Sequence, residues 1–188
     1  MRIVPRALRV AVAIALTACG RAYTPVTPGM SYRVSPVVSS GLTRLRAATA
    51  SFHSVDSAAA AGYARTVADC LVHEHHGAMG YHHSNPKLAD ATVDVEHPEI
   101  LLYERMPTGE YRLNGVEFIV PYRAWPRDSV APTLMGQRLK HEDNLKIWYL
   151  HVWAWSDNAD GVFADFNPTV QCPESARKVF TPFERSGA

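Results

Sequence analysis

The chain has 188 residues, of which 47% are hydrophobic and 20% charged, the size and composition of a single globular domain. Its 19 lysines and arginines against 18 aspartates and glutamates give a formal net charge of +1. This balance argues against a nucleic-acid-binding protein, because phosphate affinity needs an excess of basic residues. The unusual feature is nine histidines, five of which lie between His73 and His83.

The first 18 residues have the layout of a bacterial lipoprotein signal peptide. Three arginines precede a short apolar run over residues 10–16, and Leu16-Thr17-Ala18-Cys19 follows directly. This pattern predicts cleavage before Cys19, acylation of its thiol and a lipid anchor in the bacterial cell envelope, facing the periplasm or the exterior. The alternative is a plain secretory signal that ends near a cysteine.

The remaining chain divides into three parts by composition. Residues 19–42 contain several prolines, serines and threonines and are predicted to be a lipidated N-terminus and flexible tether. Residues 43–175 form the predicted single globular domain, and residues 176–188 a C-terminal tail. Apolar residues at helical spacing over residues 43–68 predict an amphipathic helix or a broken helical pair, with Gly62 as the weak point.

After Cys70 the pattern becomes that of strands. Two apolar runs flank Pro107-Thr108-Gly109-Glu110, which predicts a β-hairpin. Residues 147–155 are apolar on both faces and predict a central strand. The fold class is therefore predicted to be α+β, an N-terminal helical segment packed on a mostly antiparallel β-sheet or small barrel.

The cysteines beyond the anchor predict a disulfide. Lipidation of Cys19 leaves Cys70 and Cys172, an even remainder in a domain that is exported to an oxidising compartment. A bond between them would close a loop of about 100 residues. The alternative is two separate buried thiols.

Ionisable residues interrupt the predicted apolar strands at Glu104, Glu117 and His151. Burying such groups without a partner is costly, and a metal ion would satisfy a carboxylate and an imidazole together. Zinc or iron suits these ligands, and three protein ligands would leave a coordination position open.

The hairpin register selects between the two glutamates. A turn centred near residues 108–109 places Glu117 opposite Ile100. Glu104 then lies four residues away along the strands, roughly 13 Å, too far to share an ion with Glu117. Glu104 is expected to pair with an arginine such as Arg112, and becomes a reserve ligand or a nearby acid/base group if the hairpin is shifted or bulged.

The histidine-rich segment supplies the third predicted ligand, His82, since Gly80 frees the backbone just before it. His73 and His75 are weaker candidates, because they would share a face in an extended stretch but also fit a solvated loop. No spacing in this segment matches a zinc finger or a His-Glu-x-x-His motif.

The aromatic residues Tyr149, Trp153 and Trp155 alternate on the predicted strand that carries His151. They are expected to line a pocket beside the histidine, with at least one tryptophan buried there. The alternative is that they belong to the core, which is the usual role of aromatic residues on an interior strand.

Seven sequence blocks follow one another between residues 47 and 172. They are residues 77–82 (GAMGYH), 85–86 (NP), 102–104 (LYE), 115–118 (GVEF), 134–137 (LMGQ), 150–155 (LHVWAW) and 161–168 (GVFADFNP). In this order they resemble a family of uncharacterised secreted bacterial proteins and lipoproteins, and the order of the blocks makes the resemblance specific. It implies a domain boundary and no activity.

Together these observations predict an envelope-anchored domain that binds a transition metal through an open site of His82, Glu117 and His151. A metal-dependent enzyme with an unknown substrate is compatible with this prediction. Two alternatives remain: a metal-free module that binds a small ligand in an aromatic pocket, and a structural lipoprotein with a buried His/Glu hydrogen-bond network. The expected partners are the membrane, through the lipid anchor, and a small molecule.

The anchor prediction is tested by replacing the acylated cysteine. Cys19→Ser should release the protein from the membrane fraction or block processing in a bacterium that matures lipoproteins, because the thiol that receives the lipid is missing. Fractionation and mass spectrometry of the mature N-terminus measure this. An unacylated N-terminus beyond Cys19 in the unmodified protein would contradict the prediction.

Overall fold

The computed structural model of the protein describes residues 35–65 and 69–179. The predicted signal peptide, Cys19 and most of the predicted tether lie outside these residues. No helix within the described part of the chain is long and apolar enough to cross a membrane.

The chain begins with helices and continues with strands, and is broadly α+β. The helices are α1 (Pro36–Thr49) and α2 (Val55–Ala60), with 3-10 turns at Ala50–His53 and Glu174–Ala176. The strands are β1 (Ala64–Arg65), β2 (Cys70–His73), β3 (Gly77–Ser84), β4 (Ile100–Arg105), β5 (Tyr111–Pro121), β6 (Thr133–Leu134), β7 (Gln137–Arg138), β8 (Lys140–Glu142), β9 (Ile147–Val152) and β10 (Arg177–Val179).

Helix α1 starts earlier than the predicted domain boundary at residue 43. Ser35 caps it by accepting a hydrogen bond from the backbone N–H of Val38, and Pro36 occupies the first turn, where its missing N–H costs nothing. Val38 and Leu42 are buried in the core, so residues 36–42 are part of the fold and not of the tether. The prolines that suggested a tether include one that begins a helix.

Eight strands form one curled, mostly antiparallel sheet, a half-barrel with the order β10-β2-β3-β4-β5-β9-β8 and with β1 paired to β3. The β4–β5 hairpin is confirmed. Strand β9 lies one position in from the edge strand β8 and is not central.

The predicted C-terminal tail contains β10, which pairs in parallel with β2, so the fold continues past residue 176. Its exposed residues Arg177, Lys178 and Val179 carry no apolar alternation that would predict a strand.

Side chains alternate between the two faces of this sheet. Val116, Phe118 and Val120 of β5 belong to the larger core cluster, which also contains the buried residues of α1. Glu117 and Ile119 point to the other face. The helix therefore covers one face of the sheet, and the predicted polar residues are on the opposite face.

A disulfide joins Cys70 of β2 to Cys172, with the Cα atoms 5.6 Å apart, and confirms the predicted pairing. It links the second strand of the chain to the segment that precedes β10. The smaller core cluster lies beside it, and its buried members are Val72, Ala78, Ile100, Leu102, Trp153 and Val170.

Removing this disulfide should cost much of the domain's stability. The double change Cys70→Ser with Cys172→Ser should lower the free energy of unfolding by about 4–5 kcal/mol, because a loop of this length loses its constraint in the unfolded chain. Urea denaturation of both forms measures the difference. An unchanged midpoint and slope would show that the bond does not stabilise the fold.

Candidate metal site

Strand pairing brings three polar side chains to neighbouring positions on the face opposite the helix. Glu117 of β5 lies opposite Ile100 of β4, as predicted, and opposite His151 of β9. His82 of β3 lies opposite Leu102, which is two residues from Ile100 and so on the same face. The register therefore directs His82, Glu117 and His151 to one side of the sheet.

The three side chains converge. Nε2 of His82 lies 3.6 Å from Oε2 of Glu117, and Nε2 of His151 lies 3.9 Å from Oε1 of the same carboxylate. One ligand atom from each residue lies within 4.8 Å of the others. The two imidazole rings are nearly perpendicular, with their centroids 6.4 Å apart. This buried His/Glu/His group could hold a metal ion.

Burial controls the protonation of the group. It lowers the pKa of His82 to about 3, and the nearby His151 adds to this effect, so His82 is neutral at neutral pH. Burial raises the pKa of Glu117, and the charge of Asp165 raises it further, while His151 lowers it. A neutral imidazole is the form that binds a metal, and a divalent cation would favour the carboxylate form of Glu117.

The imidazole nitrogens lack the partners that buried polar atoms usually have. Nδ1 of His82 and both ring nitrogens of His151 make no hydrogen bond of normal geometry among the described residues. Such buried atoms are costly and are rare in folded proteins. Nε2 of His83 shares this property, but His83 packs against Tyr103 towards the helix-covered face and stands apart from the group.

Asp165 forms a second layer behind His151. Its Oδ1 lies 3.5 Å from Nδ1 of His151, without an aligned hydrogen bond, and 2.5 Å from Nζ of Lys140. Its Oδ2 accepts a hydrogen bond from the Tyr149 hydroxyl at 3.4 Å. Burial alone would raise the pKa of Asp165, but His151 and Lys140 outweigh it and lower the pKa to about 2. A carboxylate behind the second nitrogen is the usual environment of a metal-binding histidine.

Asp165 was not among the predicted site residues. It lies in the irregular segment after β9, where no strand alternation assigns its side chain to a face. Its position in the FADFNP block, an acidic residue between two phenylalanines, is the signal that could have identified it.

Of the three predicted pocket-lining aromatic residues, Tyr149 lies beside the group, and the two tryptophans line a different depression of the surface. Strand β9 ends at Val152, before both tryptophans. Trp153 is buried in the smaller core cluster with Ile100 and Leu102, which lie on the same face as the group. Trp155 packs against the helical side, where its indole donates a hydrogen bond to Thr49.

Glu104 has a structural role. Its Oε2 accepts hydrogen bonds from Arg112 at 2.5 Å and from Asn114 at 3.2 Å, and its Oε1 accepts one from the backbone N–H of Gln171. The expected ion pair with Arg112 is confirmed. The hairpin does contain a bulge, beside Leu102, but Glu104 stays outside the metal-capable group. Its expected use as a reserve ligand or acid/base group is corrected accordingly, since its oxygens are occupied in joining the hairpin to the segment before Cys172.

The weaker candidates His73 and His75 also lie outside the group. His73 ends β2 and stacks near His76, while His75 is exposed in the following turn. They line a different depression of the surface from His82. The exposed turn at residues 74–76 separates both from β3; His75 belongs to this solvated turn, and His73 is a half-buried residue at the end of β2.

A cavity of about 360 Å³ adjoins the His/Glu/His group. Its walls are mostly apolar. The residues that line it are Leu71, Met79, His82, Ser84, Ile100, Glu117, Ile119, Glu142, Leu145, Ile147, Tyr149, His151, Asp165 and Phe166.

Comparison with family models, with curated proteins and with solved structures finds no match for this chain. The class of site is therefore defined by geometry: a buried group that could hold a metal ion, on the open face of a curled antiparallel sheet and beside an apolar cavity. The predicted family membership stays a prediction.

Gly80 sets the path of β3 just before His82. Its φ is +91°, and a Cβ atom there would collide with the carbonyl oxygen of Tyr103 on β4. Gly80→Ala should therefore destabilise the fold by about 1–3 kcal/mol and displace His82. Thermal or urea unfolding measures the loss of stability.

Gly109 provides the matched control for this change. It has the same φ of +91°, but an added Cβ would meet nothing closer than 4.0 Å. Gly109→Ala carries the backbone strain without the collision, so it should cost less. Equal losses for the two variants would mean that the contact with Tyr103 has no effect.

Proposed function

We propose that this chain is an envelope-anchored lipoprotein whose domain binds a divalent transition metal, zinc or iron, through His82, Glu117 and His151. Three protein ligands leave at least one coordination position for water, a ligand or a substrate. Sites of this composition serve metal-dependent hydrolases and non-haem iron enzymes, so a metal-dependent reaction at this position is part of the proposal.

One observation carries the proposal: the ligand atoms of the three residues converge, and most of the imidazole nitrogens in the group lack a hydrogen-bond partner in the described part of the chain. The ligand atoms of the three residues lie within 4.8 Å of one another, while three of the four imidazole nitrogens have no hydrogen-bond partner among residues 35–65 and 69–179. A cation between Glu117 and the two facing Nε2 atoms would give Nε2 of His151, one of these unpartnered nitrogens, a partner.

The spacing supports a small divalent ion. Ligands at about 2.1 Å from a tetrahedral zinc ion lie about 3.4 Å apart. The distance of 3.6 Å from Oε2 of Glu117 to His82 and that of 3.9 Å from its Oε1 to His151 are each close to this value. Asp165 supports the same ligand set, because it faces the far nitrogen of His151 and leaves Nε2 towards Glu117.

The same distances argue against a structural network. At 3.6 and 3.9 Å, Glu117 makes no normal hydrogen bond with either histidine. A metal-free module that binds a small ligand is favoured only by the cavity beside the group, and the experiment below distinguishes it.

Metal analysis tests the proposal. Protein prepared without a His tag should contain stoichiometric zinc or iron, or should gain it on reconstitution, as measured by elemental analysis and calorimetry. His82→Ala, Glu117→Gln and His151→Ala should each lower zinc affinity more than about 100-fold, since loss of a second-layer partner alone costs 10–100-fold. Asp165→Asn should fall within that smaller range.

His76→Ala is the control for these variants. It also removes an imidazole, but this imidazole is exposed, and its Nδ1 lies 3.6 Å from Oδ2 of Asp160. Zinc affinity should stay unchanged. Full metal binding by a triple variant of His82, Glu117 and His151, or no binding of any of several divalent ions by the unmodified protein, would overturn the proposal.

A further inference from the structure

The cavity beside the metal-capable group has ionisable side chains at both ends and mostly apolar walls between them. In the pairing of β5 with β9, Glu117 lies opposite His151. Ile119 lies opposite Tyr149, two residues further along the same face. Ile147 follows two residues further along β9. From His151 to Ile147 is four residues, about 13 Å of strand. The lining of the cavity therefore includes this length of β9, together with apolar side chains of β2, β3, β4 and the segment after β9.

The volume of the cavity indicates the size of an occupant that would fill it. An apolar cavity of about 150 Å³ holds one benzene ring. At about 360 Å³ the cavity here has room for roughly twice that, on the order of a dozen non-hydrogen atoms. The lining residues of β9 from His151 to Ile147 span about 13 Å, a length that an unbranched chain of this many atoms can follow.

The charges at the two ends specify the head group. A divalent ion with Glu117 as its anionic ligand carries one net positive charge, and Asp165 is paired with Lys140 2.5 Å away. At the far end Glu142 lies opposite Ile147 and lines the cavity. One end attracts a single anion, and the other end repels a second one.

We propose that the cavity takes an amphiphilic monocarboxylate with an unbranched chain of about ten carbons, whose carboxylate completes the coordination of the metal. This inference rests on the proposed metal site and adds the ligand class. Without the ion, the carboxylate of Glu117 faces the head group and repels a second carboxylate. Binding of the carboxylate and of the metal is therefore mutually reinforcing, as linkage requires.

Decanoate is the probe that tests the inference. The full chain carrying Cys19→Ser, which lacks the acyl chains, is titrated by calorimetry in zinc-loaded and zinc-free forms, below the micelle concentration of decanoate. The zinc-loaded protein should bind decanoate at least tenfold more tightly than the zinc-free protein. It should also prefer decanoate over hexanoate by more than tenfold, since each buried methylene contributes about fourfold in affinity.

Two further probes isolate the two ends of the ligand. Acetate, which has only the head group, should bind much more weakly than decanoate. Decanedioate has the same chain and a second carboxylate that would meet Glu142, and it should bind at least tenfold more weakly. Equal affinity for decanoate and acetate, or for decanoate and decanedioate, overturns the assignment.

A variant that narrows the cavity away from the ligands completes the test. Ile147→Trp should lower decanoate affinity at least tenfold and leave the zinc stoichiometry unchanged. Val130→Trp adds the same indole at a side chain that is 79% exposed and does not line the cavity, so it is the matched control.

The outcomes separate this inference from the proposed function. Zinc binding with no preference for decanoate leaves the metal site standing and rejects the ligand class. Decanoate binding that is equal with and without zinc rejects metal coordination of the head group. A protein that binds no metal rejects the proposed function itself, whatever its affinity for decanoate.

Discussion

The fold and the candidate site both depend on the register of β5 between β4 and β9. One set of its residues, Val116, Phe118 and Val120, belongs to the core beneath the helix, so the intervening Glu117 must face the other way. A slip by one residue would bury the carboxylate under the helix and expose the core residues. The apolar packing of one face therefore fixes the position of the polar group on the other, and the group needs no favourable contacts of its own to be held there.

Much of the site is predictable from strand alternation. The position of the hairpin turn predicts that Glu117 lies opposite Ile100. The alternation of the apolar strand around His151 predicts the face of the sheet to which its side chain points. Both depend on local sequence pattern. Asp165 is not predictable in this way, because it lies in an irregular segment whose path is set by tertiary contacts. The start of α1 at Pro36 is not predictable from local pattern either, because a proline is equally consistent with a tether and with a first helical turn.

The three candidate ligands come from β3, β5 and β9, which are far apart in the sequence. They meet only when the central sheet is complete, so the unfolded chain has no equivalent site. An ion bound there stabilises the folded state in proportion to the logarithm of its concentration relative to its dissociation constant. Cys70–Cys172 acts on the unfolded chain instead, and the two stabilising effects are therefore independent in origin.

The parallel pairing of β10 with β2 has a consequence for the order in which the domain forms. The N-terminal part of the sheet receives its outer strand from residues 177–179, near the C-terminal end of the chain. In a nascent chain the edge of β2 stays unpaired until residues 177–179 have been synthesised. Unpaired edges are templates for association with other chains. Until that pairing forms, this edge of the sheet is open to such association.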